Sequence, residues 1–347
     1  MTDVLKGGII GCGFFAERHI EAWRRMPEVE IVAATDTRLQ RAERFANRAY
    51  RAAEEMLERE RLDFVDIVTR VETHLPLVRL AAQKRTPIIC QKPIAPDWSS
   101  AAELVIVAES AGVPLMIHEN WRWQPWYRVA HYMIARGDIG APIGYGFRTR
   151  TRDGTGAEPY PNQPYCRSLG RFLIDEVLVH LMDTARFLFG EIQSVYAQTS
   201  RRNPNVTGED QAILVLSHEG GVHGWIDGHR FRDPDPDGPA MGDAFLEGET
   251  GTITIRGTGD VYRNSVLAWK NHVTAGYRGD SVRATQAHFI SCLKEGLPFE
   301  SGGRQYLRTF GAVEAAYRSA AERRSVALEE ILAPDTAGPQ QKFVFSS

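Results

Sequence analysis

Residues 7–36 read GGIIGCGFFAERHIEAWRRMPEVEIVAATD: a short apolar run, a glycine turn, a helical pattern, a second apolar run, then an acid. Gly11, Gly13 and Ala16 satisfy G-x-G-x-x-G/A. In that pattern the first glycine allows the tight turn, the second lets a pyrophosphate approach bare backbone, and the small third residue packs helix on strand. The helix start then aims unpaired N–H groups and its positive dipole end at the phosphates. Asp36, 23 residues after Gly13 and at the end of the second run, is placed to accept both hydroxyls of a ribose. Glycine turns alone are common, but turn, helix, second strand and terminal acid in this register predict a dinucleotide site. A 2′-phosphate would meet the Asp36 charge, so NAD is favoured over NADP. Arg38, two residues on, is the side chain that could turn toward such a phosphate instead.

The 347 residues exceed what one hydrophobic core usually serves, so two domains are expected, divided as 1–122 and 123–347. In the first, apolar runs alternate with helical patterns at 39–49, 52–60, 76–83 and 98–111, the last opened by Asp97 as N-cap and closed by Gly112. That alternation predicts parallel strands in a doubly wound Rossmann sheet. Ligands bind such sheets beyond the carboxyl ends of the strands. Thr69, His74, Lys92, His118 and Asn120 all fall at such ends. After residue 123 the pattern changes to a helix at 125–136, a strand at 142–152, a polar loop at 153–170 and a long helix at 171–189. Period-two runs at 212–217, 222–227, 244–247 and 252–256 then predict a mostly antiparallel sheet in an α+β domain. Helices at 281–295 and 304–323 follow, and 333–347 reads as a tail.

Composition narrows the class further. With 43% hydrophobic and 24% charged residues the chain is an ordinary globular one. A net charge of −3 without a basic block argues against nucleic acid or a membrane surface as partner. No apolar run reaches a membrane-spanning length, and an immediate first strand leaves no room for a signal peptide. Cys12, Cys90, Cys166 and Cys292 are scattered and suit free thiols in a reducing cytoplasm.

Two segments could carry chemistry. The 171–189 helix, RFLIDEVLVHLMDTARFLF, is apolar around nearly its whole circumference and should be buried. On a regular α-helix Glu176, His180 and Asp183 share one stripe. They either satisfy one another structurally, or line a cleft in which the carboxylate orients the imidazole for acid–base work. The spacing matches no recognisable metal motif, and no metal is expected. Lys92 is the second candidate: with six lysines against 35 arginines the basic surface is built from Arg, and a lysine at a strand end suits a compact, tunable ammonium. Its ordinary alternative is a side chain reaching solvent. A cis bond to Pro93 would hold the amine toward the cleft. The tryptophans of 118–126 (HENWRWQPW) read as a hinge core between the domains, with stacking on a sugar or nicotinamide as the alternative. His19 and Trp23 read as structural.

Four blocks, GCGFFAERH (11–19), TRVETH (69–74), CQKP (90–93) and EVLVHLMD (176–183), resemble those of the glucose–fructose oxidoreductase/inositol dehydrogenase (Gfo/Idh/MocA) family over essentially the whole chain. Gln91 stands where the family usually has Glu, Glu176 where it has Asp, Leu178 where it has Gly and Glu72 where Pro is common. The stretches QKP, HENWRWQ, NQPY and NPNVTGED are similar to the branch that holds D-apiose-type aldose dehydrogenases.

The resemblance implies an NAD-dependent dehydrogenase of a sugar or polyol. Lys92 and His180 take the catalytic lysine and histidine positions, and Glu176 that of the supporting acid. Cofactor contacts are expected from Gly11, Cys12, Gly13, Phe14, Phe15, Asp36, Arg38, Thr69, His74, Gln91, Lys92 and Asn120. Substrate contacts are expected from Lys92, Asn120, Trp123, Tyr165, Glu176, His180 and Asp183. The resemblance further implies an open-faced second sheet that joins subunits into a homodimer or homotetramer. Two alternatives stay open at the level of sequence: a redox-neutral lyase or glycosidase that retains its cofactor, and a cofactor-binding regulator.

Overall fold

The computed structural model describes residues 4–236 and 238–332. The expected tail at 333–347, and Asp237 of the 233–239 loop, lie outside the described residues.

Short apolar runs such as FVDI and IICQ are buried along their whole length, as strands covered by helices on both faces must be. The strands are β1 (Leu5–Ile10), β2 (Val29–Thr35), β3 (Arg48–Tyr50), β4 (Phe64–Ile67), β5 (Ile88–Gln91) and β6 (Leu115–His118). All pair in parallel, in the order β3-β2-β1-β4-β5-β6. The chain reverses its direction of growth at β1, which opens a crevice at the strand ends. The helices between them are α1 (Ala16–Trp23), α2 (Leu39–Ala42), α3 (Ala53–Arg59), α4 (His74–Gln83) and α5 (Trp98–Ser110). Asp97 caps α5 by accepting from the Ser100 N–H at 2.9 Å, and Gly112, at φ +65°, ends it. The helix expected over 39–49 stops after one turn, because Arg48–Tyr50 leaves it to pair with β2. Backbone pairing at a sheet edge there outweighs local helix propensity.

The second half begins with α6 (Pro125–Ala135) and β7 (Pro142–Arg150). The helix expected at 171–189 is interrupted: Ile174–Leu178 forms a π-turn before α7 (Val179–Phe189). Then come β8 (Ile192–Ser200), β9 (Gln211–His218), β10 (His223–His229), β11 (Gly242–Gly248), β12 (Gly251–Ile255), β13 (Val261–Arg263) and β14 (Val266–Trp269). Helices α8 (Ser281–Glu295) and α9 (Gly303–Glu322), strand β15 (Val326–Ala327) and α10 (Glu329–Leu332) complete the described chain. Nine strands form one sheet, antiparallel except for the β7–β10 pair. Alternation along its strands separates two faces. Val195, Ala197, Leu214 and Leu216 bury against Phe310, Val313 and Ala316 of α9. Ile213, Val215 and Trp225 stay exposed on the other side.

The two halves share packing. Phe289 and Ile290 of α8 join Trp23, Phe64 and Met116 in one apolar cluster, and the Ile117 N–H donates to the Ser301 carbonyl at 2.9 Å. The late segment 281–302 thus returns to cover the first sheet. No helix among the described residues is long and apolar enough to cross a membrane.

Candidate active site

The glycine turn has the geometry its spacing requires. Gly11 sits at φ +93°, and a Cβ there would collide with the Val68 carbonyl. A Cβ at Gly13 would meet no protein atom within 4 Å, so the space beside that backbone is free for a ligand. Asp36 accepts from the N–H of Cys12 at 3.0 Å and from that of Arg38 at 2.8 Å, which fixes the carboxylate at the end of β2. These residues open onto a cavity of about 910 Å³ that runs on to Lys92, Tyr165, Glu176 and His180. A cradle that only glycine permits, a free helix start and an anchored acid fit the phosphates and ribose of a dinucleotide.

Gly11, Gly13, Phe14, Phe15, Asp36, Arg38, Thr69, Gln91, Lys92 and Asn120 all line the cavity. Two expected cofactor contacts do not. Cys12 is buried, its thiol pushed up to about 12 by burial and then by Asp36, and its N–H serves Asp36. His74 is fully buried with its ring nitrogens 3.2 Å from the Ile94 and Thr69 carbonyls, so it braces two loops. Burial holds it below the usual imidazole range.

At the far end Lys92 emerges from β5 through a cis bond to Pro93. Its Nζ donates to the Glu176 carbonyl at 2.7 Å and lies 3.2 Å from the Glu176 carboxylate. The Tyr165 hydroxyl donates to that carboxylate at 2.9 Å. Glu176 is therefore the partner of Lys92 and Tyr165, not of His180. The i, i+4 spacing fails because the π-turn closes i to i+5 and rotates Glu176 out of line with α7. His180 Nδ1 is instead 2.5 Å from the carboxylate of Glu119, at the end of β6. The Trp121 indole stacks on the imidazole at 4.8 Å, with 2° between the rings.

Asp183 and Trp123 also lie elsewhere than expected. Asp183 is fully buried and receives Arg122 Nε and Nη2 at 2.7 and 2.8 Å and the Thr309 hydroxyl at 2.8 Å. Trp123 lies between His288 and the Arg128 guanidinium, away from the cavity. Asn120 donates to the Ser281 hydroxyl at 2.7 Å while one side faces the cavity. His19 and Trp23 are structural: both hold the buried Asp66 carboxylate, at 2.8 and 2.7 Å.

The wall beyond Lys92 also includes Gln163, Arg171, Asp175, Arg230 and Met241. Each cation in that wall already has a carboxylate: Lys92 has Glu176, Arg171 has Glu314 and Arg230 has Asp153. Asp175 is pushed up to about 7 by burial, against the pull of Arg171. Glu119 went unmarked in the sequence. The one signal for it is an acid directly after a buried strand, at the same strand end as the singled-out Asn120.

Residues 5–119 match the family described as oxidoreductase family, NAD-binding Rossmann fold, and residues 127–258 match the GFO/IDH/MocA C-terminal domain. A D-apiose dehydrogenase of Paraburkholderia graminis is 36% identical, over 94% of this chain and 90% of its own length. A second, from Rhizobium rhizogenes, is 34% identical over 96% and 99%. Among solved structures, an oxidoreductase from Agrobacterium radiobacter in complex with NAD+, L-tartaric acid and magnesium superposes with a TM-score of 0.87. It has 33% identity, and the match covers 95% of this chain and all of that one.

Proposed function

The chain belongs to the Gfo/Idh/MocA family of NAD-binding oxidoreductases, and from that premise we propose that it oxidises one alcohol of a sugar or polyol with Lys92 and His180 as the reacting pair. The observation that carries the proposal is that both side chains, one from each half of the chain, line a single cavity continuous with the glycine turn. Bound NAD supplies the hydride acceptor. The turn Gly11–Ala16 binds its phosphates and Asp36 its adenine ribose. His180 removes the proton of the substrate hydroxyl through Nε2, the ring nitrogen not engaged by Glu119. Lys92 donates a hydrogen bond to the same oxygen and stabilises the negative charge that grows there as the proton leaves, a charge that the carbonyl bond takes up as the hydride departs. Glu176, through its carbonyl and carboxylate, aims the ammonium.

Lys92, Arg171 and Arg230 are each paired with a carboxylate, while Nε and Nη2 of Arg171 are buried without a hydrogen bond. The curated relatives make D-apiose the first sugar to test, and oxidation of a cyclic aldose at its anomeric carbon would yield a lactone. The exposed apolar face of the nine-stranded sheet is the surface through which copies of the chain would pair.

Incubation of the protein with NAD, D-apiose and a panel of other aldoses and polyols should give NADH absorbance with at least one of them. Lys92→Ala and His180→Ala should each lower kcat by roughly 10²–10⁴-fold while NAD binding persists. Near-normal turnover in either variant removes that residue from the mechanism.

A further inference from the structure

His180 reaches the cavity from α7, but what holds its ring comes from the other half of the chain. Glu119 is fully buried, and both oxygens of its carboxylate are met by donors. Oε1 lies 2.5 Å from His180 Nδ1 and 3.2 Å from the Trp121 N–H, and the Tyr306 hydroxyl approaches Oε2 at 3.4 Å. Burial works to push this carboxyl up, but the charge and hydrogen bond of His180 and the Trp121 N–H hold it below the usual range. An ionised Glu119 can only accept, so Nδ1 carries a proton in either charge state of the ring, and it is in the neutral imidazole that Nε2 is left bare. Trp121, stacked on the imidazole with 2° between the ring planes, removes the remaining freedom of the ring. A second pair locks the same two segments in register. Arg122, three residues after Glu119, binds Asp183, three residues after His180, through two parallel hydrogen bonds.

We propose that Glu119 is the positioning residue of the base: it fixes His180 as the Nδ1–H tautomer and turns Nε2 toward the substrate, across the seam between the two halves. This rests on the reading of His180 as the base. When Nε2 takes the hydroxyl proton, no proton leaves Nδ1. The buried pair goes from net −1 to net 0, so the proton arrives where a negative charge already waits. Glu176 serves the oxygen side of the reaction through Lys92, and Glu119 serves the proton side.

The test uses the full chain labelled with [15N]histidine, with His180→Asn to assign the resonance. The wild type should show His180 protonated at Nδ1 and bare at Nε2. Glu119→Gln, whose amide oxygen still accepts, should keep that tautomer, and Glu119→Ala should average the two. With NAD and D-apiose, Glu119→Ala should lose about 10²-fold in kcat while NAD affinity and KM stay within about twofold. Glu119→Asp should recover part of the loss. A wild-type spectrum with the proton on Nε2 overturns the proposal. So does a Glu119→Ala protein with the wild-type tautomer and kcat. If Glu119→Ala does not fold, the wild-type and Glu119→Gln spectra decide. Full activity in His180→Ala would instead remove the base and leave the tautomer result standing.

Discussion

Asp175 and Glu176 are adjacent acids with opposite fates, and the difference is what each carboxylate finds around it. Glu176 reaches Lys92 and Tyr165. Asp175 has one oxygen sealed without a hydrogen bond, and its carboxyl rises to about 7. A buried carboxyl lacking donors favours its neutral form. Because its folded value lies above its unfolded one, the native state holds the extra proton between about pH 4 and pH 7. Stability is therefore greatest below that window and falls as pH rises through it, by an amount of order 1–2 kcal/mol since the side chain is partly open to the cavity. Asp175→Asn cannot ionise, so its urea midpoint should change less between pH 5 and pH 8 than that of the wild type. Equal changes in the two proteins would show that Asp175 does not titrate in this window.

Where sequence patterns describe whole elements, they succeed in proportion to how local the deciding interactions are. Gly11 is such a case: the left-handed backbone and the close approach to Val68 can be inferred from the spacing G-x-G-x-x-A before any fold is known. Gly11→Ala should strain the turn and displace β1 from the Val68 carbonyl. NAD affinity should fall by at least about tenfold, and thermal stability by about 1–3 kcal/mol. Unchanged NAD titrations would show that the turn does not bind the cofactor. The segment 171–189 is the opposite case. Its apolar circumference announces a buried helix, and burial is what is found, but a helical wheel assumes 3.6 residues per turn throughout. The π-turn at Ile174–Leu178 breaks that assumption, and with it the stripe that joined Glu176, His180 and Asp183. The edge strand β3 was missed for a related reason: three residues of strand leave too short a pattern to outvote the helical one before it.

On the scale of the molecule, the outer face of the second sheet carries Ile213, Val215 and Trp225 in exposed positions, with Val215 and Trp225 cross-strand neighbours. An apolar patch of paired strand residues on a sheet face is a surface suited to a second copy. Sedimentation velocity should find a dimer or tetramer, and Ile213→Glu with Val215→Glu should give monomers with the fold retained; a wild-type monomer refutes the assignment. The sequence by itself determined the doubly wound sheet, the glycine turn with its acid and the change to an antiparallel sheet. It also placed Lys92 and His180, because each follows from periodicity, turn chemistry or a motif within a few dozen residues. Only the tertiary structure decided which acid serves which base. Glu119 and His180 are 61 residues apart, and Lys92 and Glu176 are 84. Those pairings arise where a strand end of one half meets a helix of the other, a distance over which local spacing carries no information.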